Sequence, residues 1–139
     1  MTKVISFKFE PTYHRIMTLS SHSEDTRTEL AYTPFDLVKS AQEFAAEVAG
    51  TAERKKKTIS APVGIQVFLL YVRAHGNVPI HKGQGAITVQ TILGHATLIA
   101  GAASHDLPKG SMVCVAAGAP HQVLAGPETV LVVTQALQV

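Results

Sequence analysis

Seven histidines supply most of the chemistry open to this 139-residue chain, and two of them stand apart. His81 and His121 each sit at the mouth of an expected strand, beside a turn that holds Gly or Pro, one in each half of a β-rich region. A barrel would bring those strand ends together, so that two imidazoles converge in an apolar pocket. There they can hold a metal or hydrogen-bond an acidic or carbonyl ligand. The bland alternative is a pair of polar residues lining a small cavity, satisfied by water or by each other. The other histidines are less informative. His14 and His22 lie in a polar stretch and read as solvated. His105 precedes Asp106 in what reads as a hairpin loop, where turn chemistry is its expected role. His95 directly follows Gly94 and reads as a surface residue or a core residue with a satisfied ring.

Several chemistries are excluded at once. No Ser-His-Asp spacing, phosphate loop or pair of carboxylates is visible. Beyond residue 61 the only acids are Asp106 and Glu128, so general acid–base work would fall to His81 or His121. The single cysteine, Cys114, rules out an internal disulfide framework and a Cys-rich zinc site. On an expected central strand it reads as a small buried hydrophobe. A net charge of +2 and the absence of Trp argue against a nucleic-acid partner. The first eight residues lack the apolar run of a signal peptide. The charge-free stretch 83–105 is broken by Gln84, Thr88, Gln90, Thr91 and His95, so no membrane span is expected. These features predict a small soluble protein of the cytoplasm.

The elements that must position the two histidines follow from periodicity. Residues 3–10 alternate as a half-buried strand, and 18–30 read as loop. A helix is expected over 34–49, with Thr33 as N-cap, Pro34 at the first helical position, Asp36 in the first turn and Gly50 as its stop. Its apolar stripe is Leu37, Val38, Ala41, Phe44, Ala45 and Val48. The run Arg54-Lys55-Lys56-Lys57 reads as a solvated linker, with contact to an anionic partner as the alternative. From there the texture is all-β, with strands expected at 65–73, 86–93, 95–100, 112–116, 120–124 and 129–136. Residues 1–61 thus form an N-terminal extension of strand, loop and helix, and 62–139 a β-barrel.

Charge divides unevenly between these parts. Of 22 charged residues, 17 lie in residues 1–61. Runs such as Val67 to Val72 and Val130 to Val133 do not alternate, and strands apolar on both sides need cover on both sides. The helix can cover part of one outer face. A homodimer built through β-strands is expected to cover the rest.

The segment His81 to Gly94 and the segment Gly110 to His121 together resemble the two motifs of the cupins. In the first, His and the closing Gly stand thirteen positions apart, as the family has them. In the second, Gly110, Gly118 and His121 keep the family spacing, with Ala116 in place of Pro and Ala125 in place of the closing Asn. Fifteen residues separate the motifs, as in small microbial RmlC-like cupins. The resemblance implies a mainly β, double-stranded β-helix or jelly-roll barrel, with the N-terminal strand and the one α-helix packed outside.

It also implies a depleted metal set. His81 and His121 match two of the family's His ligands, while Gly83 and Ile87 stand where another His and a Glu are usual. The opening Gly of the first motif is replaced by His75, a neighbour that would supply a third donor. A divalent metal (Zn, Fe, Mn or Ni) would therefore bind weakly, and no other cofactor is implied. Parity puts Gly83, Ile87, Val89 and Thr91 on the face of His81, and Val123 on that of His121; Gln90 falls on the other face. The expected ligand-binding set is His81, His121, Thr91, Val89 and Ile87. The reading this favours is a small-molecule-binding protein of unassigned specificity. The alternatives are a metal-dependent cupin enzyme of oxygenase or isomerase type, and a protein that serves only as an oligomer or docking surface.

Overall fold

Among the described residues, nine strands follow one helix, α1 (Leu37–Val48). They are β1 (Arg54–Ser60), β2 (Ile65–Val72), β3 (Asn77–His81), β4 (Ile87–Leu93), β5 (His95–Ala100), β6 (Ala103–Pro108), β7 (Met112–Val115), β8 (His121–Ala125) and β9 (Thr129–Ala136). The structure, a computed structural model, describes residues 32–81 and 85–137, and of Ile80 and His81 the backbone alone. The strand expected at 3–10, the loop at 18–30, His14, His22 and Gly83 lie outside the described residues. The chain divides into two units, 1–35 and 36–139, and every element named here belongs to the second.

The strands pair antiparallel into a five-stranded sheet, β1-β2-β9-β4-β7, and a four-stranded sheet, β3-β8-β5-β6. Their facing sides share one core. Ile87, Val89, Leu131 and Val133 from the larger sheet pack with Ala96, Leu98, Leu107 and Val123 from the smaller. This is a mainly β jelly roll of two facing sheets with a helix outside.

The two-sided apolar runs now have their cover. Leu131 and Val133 look inward, while Val130 and Val132 look outward with Leu69, Tyr71 and Ile92. Against that outer group lie Ala41, Phe44, Ala45 and Val48 of α1. A fully buried side chain of Phe44's size contributes about 1.5–3 kcal/mol, so the helix is held chiefly by this stripe. Val38, expected in the stripe, is exposed. The helix starts later than Thr33 would have it. The Asp36 carboxylate accepts from the Lys39 N–H at 3.1 Å, and its own carbonyl takes the first helical bond, from Ser40 at 2.9 Å. Gly50, at φ +78°, ends the helix as expected.

Three strands depart from the sequence expectations. Arg54 to Lys57 form most of β1 instead of a linker, paired with β2 from Arg54↔Val72 to Ser60↔Val67. An edge strand can carry consecutive cations, because their stems lie along the sheet while their heads stay in water. β3 contains Pro79, which a strand tolerates at an edge, and β3 is an edge of its sheet. β6 has one buried residue, Leu107, so its polar sequence read as a loop. His105 accordingly sits in a strand, opposite Leu98. The turn lies earlier, at Gly101-Ala102, where Gly101 has φ +61°, as the first central residue of a tight hairpin requires. Cys114, expected to be buried, is exposed. It sits on β7, the other edge of the larger sheet, while Val115 on the opposite face is buried.

Candidate functional site

β8 opens immediately after a turn in which Gly118 has φ +79°. From there His121, Val123 and Ala125 alternate as the buried residues of the strand. His121 is 3% exposed. Its Nδ1 lies 3.2 Å from the Ala119 carbonyl. A carbonyl only accepts, so the proton of this contact belongs to Nδ1. The backbone register sets His81 directly across from His121, after an irregularity between Val78 and His81.

His121 forms part of the wall of a cavity of about 60 Å³. That is space on the scale of a short organic fragment. Phe68, Ile87, Val115 and Val133 make the apolar wall, and Gln135 joins His121 as a polar contributor. The rest of the lining is small: Gly85, Ala116 and Ala119. Gly85 has a packing reason to be glycine, since a Cβ there would run into the Ala136 carbonyl oxygen.

The structure sorts the expected residues. Ile87 and His121 line the cavity. Val89 shares their inward face but is packed into the core, 2% exposed. Thr91 is fully buried in the same strand and does not line the cavity; its hydroxyl has no hydrogen-bond partner among the described residues. Phe68, Val115, Val133 and Gln135 were not expected. Alternation within each strand gives their parity, but only the pairings Phe68↔Val133, Ile87↔Gln135 and Ile87↔Val115 bring them to the same end.

His75 cannot be the third metal donor. It is exposed, with φ +62°, in the turn that precedes β3. His121 pairs at the far end of β3, beyond roughly 13 Å of extended strand. The left-handed backbone at His75 is one that a glycine adopts at least cost. Among the described residues no three His, Cys, Asp or Glu side chains group to hold a metal. Ile87 offers no donor, so the described residues do not fit a tight metal centre. His95 lies outside the site on β5, half exposed, with its Nε2 2.5 Å from the Asp106 carboxylate.

No protein-family model matches the sequence, and no curated protein does. Solved structures match the fold. A cupin superfamily protein from Desulfitobacterium hafniense is 13% identical over 76% of this chain and 92% of its own, with a TM-score of 0.62. An RmlC-like cupin from Desulfovibrio desulfuricans is 18% identical over 60% of this chain and 82% of its own, with a TM-score of 0.56. The Cnp3 cupin domain of Schizosaccharomyces pombe is 12% identical over 63% and 67%, with a TM-score of 0.58. At these identities the likeness is one of fold. No helix among the described residues is long and apolar enough to cross a membrane.

Proposed function

We propose that this chain, which has the cupin fold, is a small-molecule-binding protein whose ligand occupies the cavity between the sheets. His121 and His81 are its polar contacts and Ile87 is part of its apolar wall. The supporting observation is a buried imidazole on the wall of an otherwise mostly apolar cavity. Burying a polar ring costs desolvation that an aliphatic side chain avoids, and a ligand that meets the ring gives the position a use. Thermal-shift screening with acids, amides and alcohols of two to four carbons tests the reading. At least one compound should raise Tm of the wild type more than that of a His81→Ala/His121→Ala variant. If none does, the reading fails.

A second reading is a metal-dependent cupin enzyme of oxygenase or isomerase type. The direct backbone pairing of His81 with His121 favours it, since directly opposed positions carry Cβ atoms about 5 Å apart. Two imidazoles and water would hold Zn, Fe, Mn or Ni weakly. Elemental analysis of protein purified without chelator or His tag decides: near one metal per chain, lost on His81→Ala, would make this the better reading.

We also infer a homodimer. The outer face of the larger sheet beyond α1 presents Ile65 and Met112, 40% and 55% exposed, together with Cys114. Thr88, Gln90 and Thr134 share that face and carry no charge. A two-fold axis can therefore set the patch against its own copy without opposing like charges. Light scattering should return about twice 14.8 kDa, and a mass of 14.8 kDa would refute the dimer.

A further inference from the structure

The basic run of β1 is divided by the pleat, and its cations have different surroundings. Lys57 stands opposite Leu69 on the outer face, where its ammonium lies 4.0 Å from Glu47 and 5.7 Å from the Phe44 ring centroid. Lys56, opposite Leu70, belongs to the inward face. Its Nζ lies 4.4 Å from the centroid of Phe68, and Phe68 is a wall of the cavity. Arg54 shares the inward side but is committed to the Asn77 carbonyl at 2.9 Å. Among the described residues Lys56 makes no ion pair, so its charge stands beside the cavity uncompensated.

Toward the cavity end of β1 the polar groups that follow it on this face are neutral. Thr58 follows Lys56 on the same face and accepts from the Gln66 amide at 3.2 Å. Gln66 pairs in register with Gln135, which lines the cavity as His121 does. Four of the described acids are engaged elsewhere: Glu53 with Arg73, Asp106 with His95, Glu128 with Tyr71, Glu47 with Lys57. An apolar cavity of about 60 Å³ beside one cation and several amide and imidazole groups suits a particular shape of ligand. It is a short alkyl chain ending in a negative charge.

We propose that the ligand is a short-chain carboxylate, its alkyl end among Phe68, Ile87 and Val133 and its charge met by Lys56. This rests on the cavity-binding reading and narrows it to a chemical class. Cations lying over an aromatic ring are partly desolvated, which strengthens their pairing with an anion that sits against the same ring. An exposed ion pair sets the scale at roughly fivefold in affinity. The competing account of Lys56 is that it only blunts an edge strand.

Titrations of butyrate, butyramide and butanol, followed by NMR, separate these accounts in the wild type, Lys56→Gln and Lys57→Gln. Butyrate should bind the wild type about fivefold more tightly than butyramide does, an advantage that falls with added salt. Lys56→Gln should abolish that advantage, and Lys57→Gln should keep it. Equal binding of butyrate and butyramide by the wild type, or an advantage that survives Lys56→Gln, overturns the carboxylate assignment and leaves cavity binding standing. If none of the three compounds binds, both readings fall together. Lys56 is an exposed edge residue, so its variant is expected to fold.

Discussion

The two ends of the jelly roll surround their buried polar groups differently. At the end where β9 begins, polar atoms satisfy one another. The Thr129 hydroxyl lies 3.2 Å from the His95 N–H, 3.1 Å from the His95 carbonyl and 2.8 Å from the Pro127 carbonyl. Beside it the Tyr71 hydroxyl donates to Glu128 at 2.6 Å, and Gly94 passes so close to Thr129 that a Cβ would stand 2.6 Å from its hydroxyl. At the end where β9 finishes, His121 and Gln135 border a cavity walled by small and apolar residues. Thr129 and His121 are both buried polar residues on strands of the same fold. Residue type and burial do not distinguish these two positions; the space beside the group does.

The sharpest way to break this comparison is at the closed end. Gly94 has φ +87°, and an added Cβ would strike the backbone of Glu128 and Thr129. Gly94→Ala should cost about 3 kcal/mol or more, read from urea unfolding, because backbone strain and overpacking add. Gly85→Ala at the cavity end should cost less, about 1–2 kcal/mol. Its added Cβ would meet the carbonyl of Ala136, an exposed residue at the end of β9, but the backbone at Gly85 is not left-handed as that of Gly94 is. Equal losses at the two glycines would show that the ends are equally tight.

Tyr71 sharpens the closed end further. Its hydrogen bond to Glu128, its burial and the charge of Glu128 push its pKa up to about 12 from 10.0. The folded chain therefore keeps the phenol proton after an unfolded tyrosine has released it. Stability owed to this group is complete below pH 10 and is lost as the pH rises to about 12. Tyr71→Phe should cost about 1 kcal/mol at neutral pH and flatten the alkaline fall in Tm. A slope unchanged in the variant would place its cause elsewhere. The smallest effect belongs to neither end. Asp106 and His95 pair on exposed β-strand surface, with side chains 71% and 45% exposed. Asp106→Asn should change stability by less than about 1 kcal/mol, and less again in high salt.

Much of the fold was legible because apolar spacing and turn residues agree over long stretches. The strands from Ile65 onward that bury a full face, β2, β4, β5, β8 and β9, announce themselves, as does α1 through Phe44 and Val48. What was hidden lies at the edges. Lys55 and Lys57 advertise water, Pro79 advertises a turn, and Ser104 and Asp106 face outward, although all stand in strands. Edge strands are specified by the neighbour that pairs with them, and their own apolar content is low. For the site, parity correctly set Ile87 and Val89 on one inward face. It could not tell that Ile87 borders a cavity while Val89 fills the core, since that depends on how far each row lies from the end of the sheets. Phe68 and Gln135 needed the β2–β9 register, a long-range fact that alternation does not contain.

The most direct test follows the ring of His121 itself. Its ring resonances, assigned by their loss in His121→Gln, can be monitored by NMR while acids, amides and alcohols of two to four carbons are added. The account expects a saturable shift of the His121 signals with at least one compound, and still signals from His95 on the outer surface. Signals of His121 that stay fixed throughout, or that move no more than those of His95, would contradict a ligand site between the sheets.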